Sequence, residues 1–200
     1  GVEVDIAPAI KSLDRLDNWI DRTYQELKRD NHLDRNNLNH TICLYLYGRS
    51  FFLKDQPVAD QYKTAFDYFT KQAQTYWVKL GSRQSQGHLA IALKRIGDRQ
   101  TPVKILASLT ERSKSDEEMG MYWLQPQYSW WWYQAPIETQ ALMIEAFEEV
   151  AGDREKVEDL KVWLLKQKQT QNWKTTKATA DAVYALLLRG TSQLASTQLV

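Results

Sequence analysis

The sequence predicts an all-α protein: a partial α/α toroid of about four helical hairpins, carrying one small aromatic β-hairpin, in a single domain over residues 1–200. Two observations predict it. Amphipathic helical stretches alternate strictly with stretches that are apolar nearly all round. A helix apolar all round needs protein on most sides, and a helix with one stripe needs it on one side only. Alternating the two kinds builds an inner and an outer layer. The second observation is the stretch from Ser113 to Ala135, which is long for a helix connection in a compact domain and is dense in aromatic residues.

In chain order, the opening residues with Pro8 read as a lead-in. Helix one is expected from about Ile10 to Arg29, with a stripe of Leu13, Leu16, Ile20, Tyr24 and Leu27. Asp and Asn around His32 break it. Helix two, about Leu38 to Leu53, carries Ile42, Cys43, Leu44, Leu46, Phe51 and Phe52 and has no clear polar face. Pro57 sits where a first helical residue belongs. Helix three then runs to about Leu80 on Tyr62, Phe66, Phe69, Ala73 and Tyr76, with Gly81 as stop and Ser82 as the next cap. Leu89 to Leu93 are consecutive and apolar, so helix four is buried, and Gly97 closes it. Thr101 and Pro102 open an amphipathic helix five through Val103, Leu106 and Leu109.

Met121 to Trp123 and Trp130 to Tyr133 flank Pro126 and predict two short strands in a hairpin. Pro136 opens a buried helix six. Gly152 and Asp153 stop it and cap the amphipathic helix seven on Val157, Leu160 and Leu164. Thr175 or Thr176 caps a nearly all-apolar helix eight, Ala182 to Leu188, ended by Gly190. Helices two, four, six and eight are thus the inner layer. A closed toroid holds more pairs than these four, so an open arc or a piece of a ring is expected, with an apolar edge.

Composition excludes several functions. The formal net charge of +1 implies no basic face and no nucleic-acid partner. The single Cys43 forms no internal disulfide and no multi-cysteine zinc site, and in its apolar run it reads as a buried, inert thiol. No apolar run nears the roughly 20 residues that span a bilayer, so no membrane insertion is expected. The chain opens at Gly1 without Met and reads as a piece of a longer protein, which leaves its compartment open. His32, His40 and His88 lack the i, i+4 spacing of a helical zinc pair, so no metal is expected. His88 reads as a structural group. Gly-x-Ser-x-Gly and phosphate-binding glycine loops are absent. Cys43 and His40 could share a helix face, but a cysteine nucleophile needs an electropositive, accessible setting. No catalytic residue and no cofactor are expected.

The aromatic stretch is the candidate binding surface: Trp130, Trp131, Trp132 and Tyr133, with Glu138 one turn inside helix six and Trp173 after helix seven. Such rings stack on sugars or on a protein partner, or they cap the end of the helical array. Glycoside chemistry generally needs a second carboxylate beside Glu138. Glu145, Glu148 and Glu149 read as solvated or paired charges. The acid motif of terpene cyclases and the zinc ligands of prenyltransferases are not visible.

From Gln134 to Gly190 the chain resembles the thioester domain of the α2-macroglobulin and complement family. IETQALMIEAF is similar to a family helix of Glu, Thr and apolar residues. VEDLKVWLLKQKQ is similar to one ending in Trp-Leu and a Lys/Gln-rich tail. NWKTTKATADAVYALL resembles a Gly-Gly-Phe, Ser-Thr-Gln-Asp-Thr and apolar-helix run, with Asn172-Trp173-Lys174 in place of the glycine pair and aromatic. The GMYW…WWWYQAPIETQA stretch is closer still to secreted or periplasmic bacterial members, particularly of Bacteroides-type bacteria. The strong part covers about Met119 to Leu194. The resemblance implies an α/α toroid, a non-enzymatic part in protease trapping, and partners in neighbouring domains of a parent protein and, through it, target proteases. It implies a periplasmic, cell-envelope or extracellular location. The family's Cys-x-Glu-Gln motif is absent, since Leu44, Tyr45 and Leu46 follow Cys43, so no thioester residue is assigned. The alternative is a glycan-binding or glycan-active toroid using the aromatic stretch and Glu138.

Overall fold

The computed structural model describes residues 5–124, 135–170, 173 and 175–188, the side chains of Gln169 and Thr170 excepted. These residues form α1 (Ala7–Arg29), α2 (His40–Ser50), α3 (Asp60–Tyr76), α4 (Arg83–Ile96) and α5 (Thr101–Glu111). Strands β1 (Lys114–Asp116) and β2 (Gly120–Tyr122) follow, then α6 (Pro136–Ala146), α7 (Arg154–Thr170) and α8 (Thr176–Leu187). A 3-10 turn, Trp77–Lys79, ends α3, and a π turn, Phe147–Ala151, extends α6.

The two predicted layers form. α2 packs on α4, α4 on α6, and α6 on α8, while α1 lies along α3, α5 along α4 and α7 along α6. The inner helices run in parallel. His40 in the first turn of α2 meets Ser85 in the first turn of α4, and Arg95 in the last turn of α4 reaches Ser50 in the last turn of α2. Arg95 also reaches Glu145 and Glu149 at the carboxyl end of α6 and its π turn. The amino ends of the inner row therefore gather at one rim.

Local chemistry sets these starts. Asn39, Ser82 and Thr175 each accept the amide three residues on, capping α2, α4 and α8. Asp153 does the same for α7. The core lies between the layers, and Leu89 to Leu93 are fully buried. Gly87 lets α4 approach α6, since a Cβ there would meet Met143 Cε at 2.6 Å.

Several expectations are corrected. Pro8 lies inside the first turn of α1, which starts at Ala7 with its amide bonded to Asp5. The α1 stripe keeps Leu13, Ile20, Tyr24 and Leu27 but takes Asp17 in place of Leu16, which is exposed, because Asp17 turns inward to Arg49 and Tyr45. α3 begins at Asp60, three residues after Pro57. Asp98, whose carboxylate accepts from the Gln100 and Thr101 amides, holds the start of α5. Val103 on α5 is exposed. β2 contains Met121 and Tyr122, and among the described residues it pairs with the upstream β1, which was not expected: Ser115 pairs with Met121 and Asp116 with Gly120. The predicted second strand, Trp130 to Tyr133, lies outside the described residues.

α8 is buried along one face only, through Ala178, Ala182 and Ala185. Val183, Tyr184 and Leu187 are exposed, because among the described residues α8 packs on one inner helix, α6. On α2, Leu44 is exposed for the same reason, and so in part is Phe51, the residue at its carboxyl-terminal cap.

Candidate functional site

The predicted aromatic surface divides into what the structure places and what it does not. Trp130, Trp131, Trp132 and Tyr133 lie outside the described residues. The ends of their stretch are placed. The Leu124 carbonyl accepts from Arg83 Nη2 at 2.7 Å, beside the amino end of α4, and Ala135 is the N-cap of α6. Both ends stand at the rim formed by the inner-helix starts. Glu138, partly exposed in the first turn of α6, is at that rim. Trp173, two residues before the cap of α8, is also there. Its ring lies 5.3 Å from Lys168 Nζ, and its indole N–H is buried with no hydrogen-bond partner among the described residues. The fold thus brings Glu138, Trp173 and both ends of the aromatic stretch to one end of the array.

The upstream aromatics are structural. Trp123 is buried and donates from Nε1 to the Leu109 carbonyl at 2.8 Å. Tyr122 stacks on Trp163, with ring centroids 6.3 Å apart. Gln140 fastens the hairpin to α6 and α7 by donating to the carbonyls of Met121 and Leu160.

A second group of residues, unread as a unit in the sequence, lies deeper on the inner row. The Tyr47 hydroxyl of α2 donates to Glu145 Oε2 at 2.7 Å. Arg95 of α4 donates to Glu145 Oε1 at 2.9 Å and to both oxygens of Glu149, at 2.8 and 2.6 Å. Phe51 lies under the guanidinium, 4.0 Å from carbon to ring centroid, and His88 lies against Tyr47 at 4.6 Å. Of the two expectations for Glu145, solvated or paired, the structure bears out the second: it is 4% exposed and ion-paired with Arg95.

Burial sets the electrostatics here. It lifts the Glu145 carboxyl above the ordinary range, although Tyr47 and Arg95 pull it down. It also raises the Tyr47 hydroxyl, with the Glu145 charge adding to the effect. His88 is pushed down to about 3, first by burial and then by Lys177, so its ring is neutral at physiological pH. Arg95 ends above its usual value: desolvation lowers it, and the two carboxylates more than reverse that.

His40 and Cys43 do not form a reactive pair. His40 Nδ1 lies 2.6 Å from Ser85 Oγ, and burial pushes the Cys43 thiol up to about 12. Among the described residues no group of three His, Cys, Asp or Glu side chains is placed to hold a metal ion. No described helix is long and apolar enough to cross a membrane. A surface pocket of about 250 Å³ lies between α5, the hairpin and α7, but its Asp153 is engaged in capping α7 and in pairing with Lys156. No protein family, curated protein or solved structure matches the chain.

Proposed function

We propose that this chain is a non-enzymatic part of a thioester-type α/α-toroid domain in a bacterial α2-macroglobulin-like endopeptidase inhibitor. In this reading it forms wall and packing surface, and the parent protein traps proteases outside the cytoplasm. The observation that carries it is the build of the resembling stretch. β2, α6, α7 and α8 pack as one unit, joined through Gln140 and through the close approach of Gly120 to α7. That stretch supplies three of the eight described helices of the two-layered array. The inert Cys43 agrees with a chain that brings no thioester of its own. Neighbouring domains of the parent are the direct partners, and the aromatic rim is the surface offered to them.

Intact mass and free-thiol count of the full-length parent, before and after methylamine, test the reading, together with a protease-capture assay. One amine adduct, one new thiol and a captured protease are the expected results. A parent that captures no protease in either state overturns it. The glycan reading keeps one supporting observation: Glu138, Trp173 and the ends of the aromatic stretch share a rim. Binding to a polysaccharide panel that is lost in Trp131→Ala would favour it, and absent binding would remove it.

A further inference from the structure

α4 starts against the usual electrostatics. Its first residue is Arg83, and its first turn holds no acidic residue. The amino end of a helix carries partial positive charge, so a cation there adds to that charge instead of offsetting it. A second guanidinium is fixed beside the first. Arg112, at the carboxyl end of α5, donates from Nη2 to Gln86 Oε1 at 2.6 Å. Gln86 stands three residues along α4 from Arg83, on the same face. Arg83 is partly buried, and desolvation, then the Arg112 charge, lower its guanidinium from the usual value.

Buried polar groups hold the two side chains in place. Gln86 is 2% exposed. Its Nε2 donates to the carbonyls of Trp77 and Leu80, which fixes the way its amide points and leaves Oε1 to hold Arg112. Arg112 Nε donates to the Ser108 carbonyl at 2.9 Å, and Arg83 Nη2 to the Leu124 carbonyl at 2.7 Å. Every one of these acceptors is neutral. Among the described residues neither guanidinium forms an ion pair, either with Glu111 beside Arg112 in sequence or with Glu138 at the same rim. A guanidinium carries about five N–H donors. Arg83 spends one of its own and Arg112 two, and the others have no acceptor among the described residues.

We infer that Arg83 and Arg112 form an oxyanion site at the amino end of α4, taking a group with at least two acceptor oxygens, a carboxylate or a phosphate. The planar guanidinium fork matches such a group with two parallel hydrogen bonds. One bound negative charge offsets the repulsion between the two cations and the cation at the start of α4 together. Free phosphate and an acidic side chain on a protein surface share this chemistry. The inference stands apart from the protease-trapping reading, since the site is made of α4, α5 and the Leu124 carbonyl alone.

Nitrogen-15 spectra of the arginine Nε–H groups of the full chain would be followed through a titration with sodium phosphate, with sodium chloride holding the ionic strength constant. A second titration uses a short glutamate peptide with blocked ends. The Arg83 and Arg112 signals should move together on one saturable curve. Arg83→Gln and Arg112→Gln should each weaken binding by about 10–100-fold, the loss expected for a hydrogen bond to a charged group. Arg83→Lys should recover only part of that, because an ammonium lacks the fork. Saturation by phosphate alone supports the site and assigns it to a free ion. Saturation by the peptide supports it and assigns it to a protein carboxylate. Unchanged affinity in Arg83→Gln and Arg112→Gln overturns the proposal. Signals that drift without saturating in both titrations of the wild type overturn it too, whether or not the variants fold.

Discussion

Asp17 and Arg49 lie 32 residues apart and are 4% and 2% exposed at the side chain. Arg49 Nε donates to both oxygens of Asp17, at 3.0 and 3.1 Å, and the Tyr45 hydroxyl donates to one of them. Arg49 Nη1 is buried with no partner among the described residues. Removing one member of such a pair strands the other, so Asp17→Ala should cost about 3–5 kcal/mol in urea unfolding. Asp17→Leu with Arg49→Met should restore most of that loss, since apolar replacements of a buried pair are often neutral or better. This pair was not legible in the sequence. Periodicity reads each residue as polar and outward, and no local spacing links them. Cys43 was legible, because a lone thiol between apolar neighbours needs only local context. Held up at about 12, it should resist thiol reagents in the native chain and react on unfolding, which a label-and-mass experiment reads.

At the scale of elements, caps were the most legible feature and strand pairing the least. Asn39, Ser82, Asp153 and Thr175 act within three residues of themselves, so residue type and position suffice for three of the four. β1 is Lys114-Ser115-Asp116, fully exposed and without apolar alternation, so nothing in its residues announces a strand. It forms because Gly120 turns the chain at φ +67 and β2 packs against α7. A Cβ at Gly120 would sit 2.2 Å from the Asp159 carbonyl oxygen, whereas Gly152, at φ +62, has open space around it. Gly152→Ala should cost about 1–2 kcal/mol for the left-handed backbone alone. Gly120→Ala carries that cost and a backbone clash besides, so its loss in chemical denaturation should be distinctly larger. Equal losses would mean that β2 can shift away from α7. The aromatic stretch is legible only in part for a related reason: Tyr122 and Trp123 serve packing, and ring density alone does not separate packing from binding for the rings that follow them.

Across the whole molecule, the alternation of helix types carried the layering, because burial on all sides is written into composition. An apolar edge was expected, but not which residues would form it, since an apolar helix reads the same whether it has one inner neighbour or two. The polar centre of the row was missed for a different reason: Tyr47, His88, Arg95 and Glu145 come from three helices and meet only after folding. That centre bears on the acid response. His88 is buried against Tyr47 and neutral, held down to about 3 by burial and then by Lys177. Its folded value lies below its unfolded value, so the stability it contributes is present above the ordinary histidine range, near pH 6.5. That stability is lost as pH falls from there toward the folded value. Asp98 and Asp153 add a later loss. Hydrogen bonds at the starts of α5 and α7 hold both carboxyls low, against desolvation at Asp98 and chiefly through Lys156 at Asp153. Their contribution fades only as pH falls below the ordinary carboxylate range. Replacing His88 with an apolar ring, His88→Phe, keeps the contact with Tyr47 and removes the titration. Thermal midpoints of this variant should lose the fall just below neutral pH and keep the fall in stronger acid. A variant that still weakens in the first interval would place the early acid sensitivity on a group other than His88.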